Sequence, residues 1–282
     1  MSRYGLMGKN ISYTLSPYIH NEIYKKINTD DVYDILDIDK IDENQLLEEI
    51  KNNYNGVNIT IPYKRRMVDI VDEISDEAKK ISAINTIHVK NGKLIGYNTD
   101  YFGFKYMMKD LHINVENKDI VMMGSGGAAA SVLTFLLDSS AKKITILTRN
   151  KIKTENVIFS NIFFNKCRNI IEVVDYSQLN DDIKNDRYML INTTPVGMTG
   201  HIDELLIEEK ELMKFKICID LIYSPLHTLL LKRFKALKGK DAIAENGIKM
   251  LVFQAISAEN IWQNIDISYE ITDDIIRKLI KK

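Results

Sequence analysis

Apolar and polar positions alternate in short blocks through the first hundred residues, and the period of each block predicts an element. Arg3 to Met7 reads as a strand. Pro17 to Lys26 reads as an amphipathic helix with Pro17 in its first turn, where a missing N–H costs nothing. Val32 to Ile38 is a second strand, Glu43 to Asn52 a second helix, and Gly56 to Thr60 a third strand. That strand runs out at Pro62, which is suited to open a following helix. Alternation of this kind favours a largely parallel sheet with crossover helices. Thr86–Lys90 and Lys93–Tyr97 flank Asn91-Gly92, which tolerates the positive φ of a two-residue hairpin turn. The hairpin carries Asn85 and Asp100 at its two ends, so it brings them together despite their separation in sequence.

From Asp119 the rhythm becomes that of a doubly wound sheet. Ile120–Met123 is a short buried strand, a glycine-rich loop follows, and Ala128–Leu137 is helical. Lys143–Thr148, Ile170–Val174, Tyr188–Asn192 and Lys216–Leu221 supply later strands. After Gly247 no strand is expected, and Met250, Leu251, Ala255, Ala258 and Ile261 recur at helical spacing. The predicted organisation is therefore α/β in two domains: residues 1–100, residues 101–246, and a helical segment 247–282 that returns to the first domain. A length of 282 residues suits this division, since single cores seldom grow beyond roughly 250 residues.

Composition narrows the class without naming it. Apolar content of 45% and charged content of 27% are ordinary for a globular protein, and a net charge of −1 gives no global pull towards nucleic acid or anionic membrane. Cys167 and Cys218 form no Cys-x-x-Cys pattern and read as reduced thiols, Cys218 inside an apolar strand. The first residues show no basic segment followed by an apolar run, and the longest apolar stretch, 128–137, is too short to span a bilayer. A cytoplasmic protein is expected, with a small-molecule partner and neither nucleic acid, membrane nor metal.

The glycine-rich loop carries the first specific chemistry. Gly124-Ser125-Gly126-Gly127-Ala128-Ala129 fits G-x-G-x-x-G/A between a strand and a helix, the context that makes the pattern informative. The first glycine allows a tight turn, the second lets backbone approach a pyrophosphate, and the small third position permits close helix packing. Amides at the helix start then face the anion. The next strand ends in Thr148-Arg149-Asn150-Lys151-Ile-Lys153, with no acid to accept ribose hydroxyls. Arg149, with its planar fork of donors, suits a 2′-phosphate, so NADP is expected over NAD. A lysine and a carboxylate beside a bound nicotinamide are what carbonyl reduction needs, and Lys64 and Asp100 offer that pair.

Eight segments now stand in a recognisable order: Leu15-Ser-Pro-Tyr-Ile-His-Asn21, Gly56-Val-Asn-Ile-Thr-Ile-Pro-Tyr-Lys64, Ser82-Ala-Ile-Asn-Thr86, Gly96-Tyr-Asn-Thr-Asp100, the glycine loop, Asn192-Thr-Thr-Pro-Val-Gly-Met198, Asp220-Leu-Ile-Tyr-Ser-Pro225 and Asn246-Gly-Ile-Lys-Met-Leu-Val-Phe-Gln254. Together they resemble shikimate dehydrogenase from Gly5 to about Trp262. The resemblance implies NADPH-dependent reduction of 3-dehydroshikimate to shikimate, a step of aromatic amino acid (chorismate) biosynthesis. It also implies an N-terminal substrate domain, a Rossmann cofactor domain and an active site in the cleft between them, in a monomer or homodimer.

Residue by residue, the resemblance implies that Lys64 is the general acid of reduction and Asp100 its partner. Thr14, Ser16 and Tyr223 would grip the substrate carboxylate, and Thr60, Asn85, Asp100 and Gln254 the ring hydroxyls. Leu221 and Gly247 would line the nicotinamide, with Met250 packed nearby; Asp76 is either in the cofactor region or an ordinary first-turn acid of a helix. Three positions depart from the family: Thr14 replaces a serine, Ala130 stands where many members have an arginine, and Lys249 where a small residue is common. Thr14 keeps open a quinate/shikimate dehydrogenase with looser cofactor use. A non-catalytic ligand-binding regulator on the same fold would be expected to lose Lys64 or Asp100. A folate-linked two-domain dehydrogenase would lack the Thr14-x-Ser16 pair. His20, in a helix, and His88, on a hairpin strand, are expected to be structural.

Overall fold

The computed structural model describes residues 1–12, 14–39, 43–178, 187–199 and 204–281. The chain forms two compact units, one of Met1–Met107 with Leu251–Lys282 and the other of Met108–Met250. The division falls inside the helices Thr99–Asp110 and Ile248–Gln263.

The first unit holds six strands: β1 (Arg3–Gly8), β2 (Val32–Asp37), β3 (Gly56–Ile59), β4 (Glu73–Ile74), β5 (Thr86–Lys90) and β6 (Lys93–Tyr97). They lie in the order β2-β1-β3-β5-β6-β4. β1 pairs in parallel with β2 and β3, and β4 with β6, while the β5–β6 hairpin enters antiparallel against β3. Met7, Ile50, Val57, Ile59, Met67, Ile84 and Ile87 are buried in one core beneath this sheet. Each such side chain contributes about 1.5–3 kcal/mol when fully withdrawn from water.

The C-terminal helix is fastened to the same sheet. Trp262 donates its indole N–H to the Ile87 carbonyl at 2.8 Å and stacks on Tyr4 at 4.8 Å. Gly56 is required by that contact, since a Cβ there would lie 2.2 Å from the Trp262 indole nitrogen. Here the periodic apolar residues after Gly247 find their partner: Ala258 and Trp262 are buried with Tyr4, Leu6, Ile11, Tyr24 and Tyr33.

One expectation fails. Pro62 opens no helix; residues 61–65 form turns that lead into a 3₁₀ turn, Arg66–Asp69. Two carbonyls here are satisfied by neighbouring segments instead of by the next turn of a helix. The Ile61 carbonyl accepts from Lys9 N at 3.2 Å, and the Lys64 carbonyl from Ile84 N at 2.9 Å. The Lys64 backbone is therefore tied to the segment just before β5.

The second unit is a wholly parallel sheet of β7 (Asp119–Met123), β8 (Lys143–Thr148), β9 (Ile171–Asp175), β10 (Arg187–Asn192), β11 (Phe215–Asp220) and β12 (Ile243–Asn246). The order is β12-β11-β10-β7-β8-β9, which is the doubly wound 3-2-1-4-5-6 arrangement read from the other edge. The strand order reverses between β7 and β10, and ligands bind outside the carboxyl ends of strands at such a point. The glycine loop follows β7 and the 193–198 segment follows β10, so both sit there. Cys218 is buried in β11, and burial pushes its thiol up, which leaves it inert. Among the described residues no helix is long and apolar enough to cross a membrane, and no cluster of three or more His, Cys, Asp or Glu could hold a metal ion.

Candidate active site

The β5–β6 hairpin and the helix after it assemble a polar cluster in the first unit. Lys64 Nζ donates to Asp100 Oδ2 at 2.6 Å, and Asn85 Nδ2 to Asp100 Oδ1 at 2.9 Å. The two charged side chains are only 18% and 12% exposed, so their attraction is screened less than at a surface. Asn85 Oδ1 accepts from Thr99 N at 2.6 Å and from Thr86 Oγ1 at 3.0 Å. Thr99 Oγ1 also reaches Gln254 Oε1 at 3.3 Å, which draws in the helix Ile248–Gln263. Lys64, Asn85, Asp100 and Gln254 are thus brought into one network.

Thr14 and Ser16 form a second cluster at the start of the helix Ser16–Ile27. Thr14 Oγ1 donates to Ser16 Oγ at 3.1 Å and accepts from Ser16 N at 3.2 Å. Thr60 follows β3 directly, its N–H bonded to the Met7 carbonyl at 2.8 Å. His20 pairs with Glu259, both fully buried, and stacks on Tyr33 at 3.9 Å, which makes it part of the core. Sequence reading did not single out Asn58, Thr86 and Thr99, although all three lie inside the quoted motifs and join this network.

In the second unit the residues present fit a dinucleotide. Gly124 has φ +100°, and a Cβ there would lie 2.8 Å from Thr193 Oγ1. A Cβ on Gly126 would meet nothing within 4 Å, so open space lies over this backbone. Gly126 caps the helix Gly127–Asp138 without any side-chain bond, leaving first-turn amides for an anion. Ser125 and Ala128 flank that cap. Thr148 Oγ1 bonds to Thr154 at 2.8 Å, and Asn150 accepts from Lys153 N at 2.9 Å as the cap of Lys151–Phe159. Arg149, Lys151 and Lys153 cluster at this exposed helix start. Ala130 is buried, and Lys249 forms an ion pair with Asp110. Asp76 is 98% exposed in the first unit, paired loosely with Lys79 at 3.6 Å.

Tyr223 and Leu221 lie on the segment after β11, which Asp220 anchors. The fully buried Asp220 accepts from Asn192 Nδ2 at 3.0 Å, Ile222 N at 3.2 Å and Thr228 Oγ1 at 2.7 Å. Burial pushes its carboxyl from 3.8 up to about 6, although the three hydrogen bonds pull it down. The folded state therefore holds this proton more tightly than the unfolded chain. The associated stability, about 3 kcal/mol at most, is complete below about pH 4 and lost as pH rises through about 6. Asp220→Asn should lack this dependence. In urea titrations the variant's stability should gain on the parent's between pH 4 and 6; a constant difference across that window would contradict the assignment.

A doubly wound parallel sheet with a bare-capped glycine loop at its switch point, in a chain that also carries a separate mixed-sheet unit, places this protein among two-domain dinucleotide-dependent oxidoreductases. Comparison with known proteins gives the particular group. The model of the shikimate dehydrogenase substrate binding domain matches residues 6–87. The chain is 40% identical to Shikimate dehydrogenase (NADP(+)) of Clostridium perfringens, over 99% of this chain and 98% of that one. A crystallised chorismate mutase/shikimate 5-dehydrogenase fusion protein from Clostridium acetobutylicum superposes with a TM-score of 0.89 at 34% identity, covering 100% of this chain and 98% of that one. A shikimate dehydrogenase crystallised in complex with NADP+ gives a TM-score of 0.88 at 30% identity, covering 100% and 96%. The chain belongs to the shikimate dehydrogenase family.

Proposed function

We propose that this chain is an NADP-dependent shikimate dehydrogenase, interconverting 3-dehydroshikimate and shikimate. The observation that carries the reading is 40% identity, along 99% of the chain, to a relative named for that activity and cofactor. The retained Lys64–Asp100 couple supports it. No observation favours the quinate enzyme or the non-catalytic regulator.

In this reading residues 1–100 with the C-terminal helices bind substrate, and residues 101–246 bind the cofactor. Gly124, Ser125, Gly126, Gly127 and Ala128 hold the pyrophosphate, and Thr148, Arg149, Asn150, Lys151 and Lys153 the phosphorylated ribose. Leu221, Gly247 and Asp76 complete that site. When bound, NADPH supplies the hydride for the carbonyl carbon. Lys64 gives the carbonyl oxygen its proton, and in the reverse direction takes it back from the hydroxyl. Asp100 holds the ammonium in place. Thr14, Ser16 and Tyr223 grip the carboxylate; Thr60, Asn85 and Gln254 bind the ring hydroxyls. A site of buried donors and acceptors rejects analogues lacking a hydroxyl, because a protein group is then left unpaired. The enzyme acts in the cytoplasm as a monomer or homodimer.

The test is a spectrophotometric assay of the purified protein with shikimate or quinate, each with NADP+ or NAD+. Shikimate with NADP+ should give the highest kcat/KM. Absence of turnover in every combination would end the enzyme reading, and preference for quinate with NAD+ would replace it.

A further inference from the structure

Tyr33 stands on β2, outside the segments that carry the family resemblance, yet it ends a continuous line of hydrogen bonds leading to Asp100. Its hydroxyl donates to Asn58 Oδ1 at 2.6 Å. Asn58 Nδ2 donates to Thr86 Oγ1 at 3.0 Å and to the Asn85 carbonyl at 3.3 Å. Thr86 Oγ1 donates to Asn85 Oδ1 at 3.0 Å, and Asn85 Nδ2 to Asp100 Oδ1.

The amide orientations follow from what the groups can do, and the Thr86 hydroxyl, which also lies 3.0 Å from Thr99 Oγ1, donates to Asn85 Oδ1. An ionised Asp100 only accepts, so Asn85 turns its NH₂ to it and its Oδ1 to Thr86 and the Thr99 amide. The Asn85 backbone carbonyl only accepts, so Asn58 presents NH₂ there and Oδ1 to Tyr33. Every donor then points from phenol to carboxylate, an arrangement in which each bond polarises the next. Burial pushes the Tyr33 phenol well up, which keeps it a donor. Around it stand the His20 ring, stacked at 3.9 Å, the carboxylate of Glu259, and Tyr24 and Trp262. Among the described residues, Lys64 is the charge paired with Asp100.

We propose that Tyr33 is a positioning residue: through Asn58, Thr86 and Asn85 it orients Asp100 towards Lys64. The proposal rests on the reading of Lys64 and Asp100 as the proton-transfer couple. Tyr33→Phe removes one oxygen and keeps the ring stacked on His20. It should lower kcat for shikimate oxidation about 3–10-fold, the worth of one hydrogen bond, with the KM for NADP+ unchanged. The acid limb of kcat/KM should shift with it. Thr86→Val should do the same and Thr86→Ser should restore the parent profile. The double variant Tyr33→Phe/Thr86→Val should cost little more than the worse single, because both open one chain.

A Tyr33→Phe enzyme with parental kcat and pH profile overturns the proposal, as does a loss of activity that tracks folded fraction with the acid limb in place. Lys64→Ala in the same series separates the levels. If it still turns over, the reading of the couple has failed; if it is inactive while Tyr33→Phe is parental, the positioning role alone has failed. Should Thr86→Val not fold, Tyr33→Phe and its pH profile decide by themselves.

Discussion

Lys64→Ala is expected to lower kcat for shikimate oxidation by about 10²–10⁴-fold, the usual loss when a proton-transfer group is removed. The NADP+ affinity should stay near the parent's, since the nucleotide loop belongs to the other compact unit. Loss of the 2.6 Å ion pair also leaves Asp100 with the Asn85 hydrogen bond. Both partners are partly exposed, so the stability cost should fall below the ~3–5 kcal/mol of a broken, fully buried pair. A second substitution separates proton transfer from mere charge. Lys64→Arg keeps a cation able to reach Asp100, but a guanidinium does not deprotonate in proteins, so it cannot act as the base. If charge is all that Lys64 supplies, the arginine enzyme will work. If the ammonium exchanges the proton, both variants will be nearly inactive while melting close to the parent. Initial rates with saturating NADP+, taken beside thermal melts, distinguish the cases. An arginine enzyme retaining most of the parental kcat would remove Lys64 from the chemistry.

The candidate site was legible where its residues fall in a local pattern of the chain. Asn85 and Asp100 could be paired from sequence because Asn91-Gly92 fixes the hairpin between them, and the structure joins them at 2.9 Å. Gly124 and Gly126 announced themselves because a strand precedes them and a helix follows. Pro62 misled, since a residue that suits a first turn says nothing about whether neighbours will take the backbone hydrogen bonds; here Lys9 and Ile84 do. β4 has two residues and β12 reads Ile-Ala-Glu-Asn, so neither shows a period. Tyr33 was invisible for another reason. Its role depends on the register that sets Asn58 opposite Thr86 and on a helix that returns from the far end of the chain with Glu259. Long-range pairing of that kind leaves no local trace.

Gly247→Ala should do the most damage of any single methyl addition near the cofactor loops. A Cβ on Gly247 would lie 2.0 Å from the Leu221 carbonyl oxygen, 2.5 Å from its carbon and 3.0 Å from its Cα. All three are backbone atoms, and the segment cannot easily yield. Leu221 N is bonded to the Asn192 carbonyl at 2.9 Å, Ile222 N to the buried Asp220, and Gly247 N itself to the Ile222 carbonyl at 3.0 Å. Overpacking costs roughly 1–3 kcal/mol where side chains can adjust, so a backbone collision should reach or exceed the upper figure. At roughly 2–4 °C per kcal/mol, the second unit should melt some 6–12 °C lower. Either the Tyr223-bearing segment or the start of the Ile248–Gln263 helix must shift, and a displacement near 1 Å at a reacting centre costs about 10²-fold in rate. Gly126→Ala is the matched contrast: a methyl there meets nothing within 4 Å, so the fold should keep its melting temperature while the filled cradle weakens NADP+ binding. A Gly247→Ala enzyme with parental melting temperature and rate would mean that the backbone contact with Leu221 does not constrain the protein. Loss of stability at Gly126 instead would move the tight approach to the other loop.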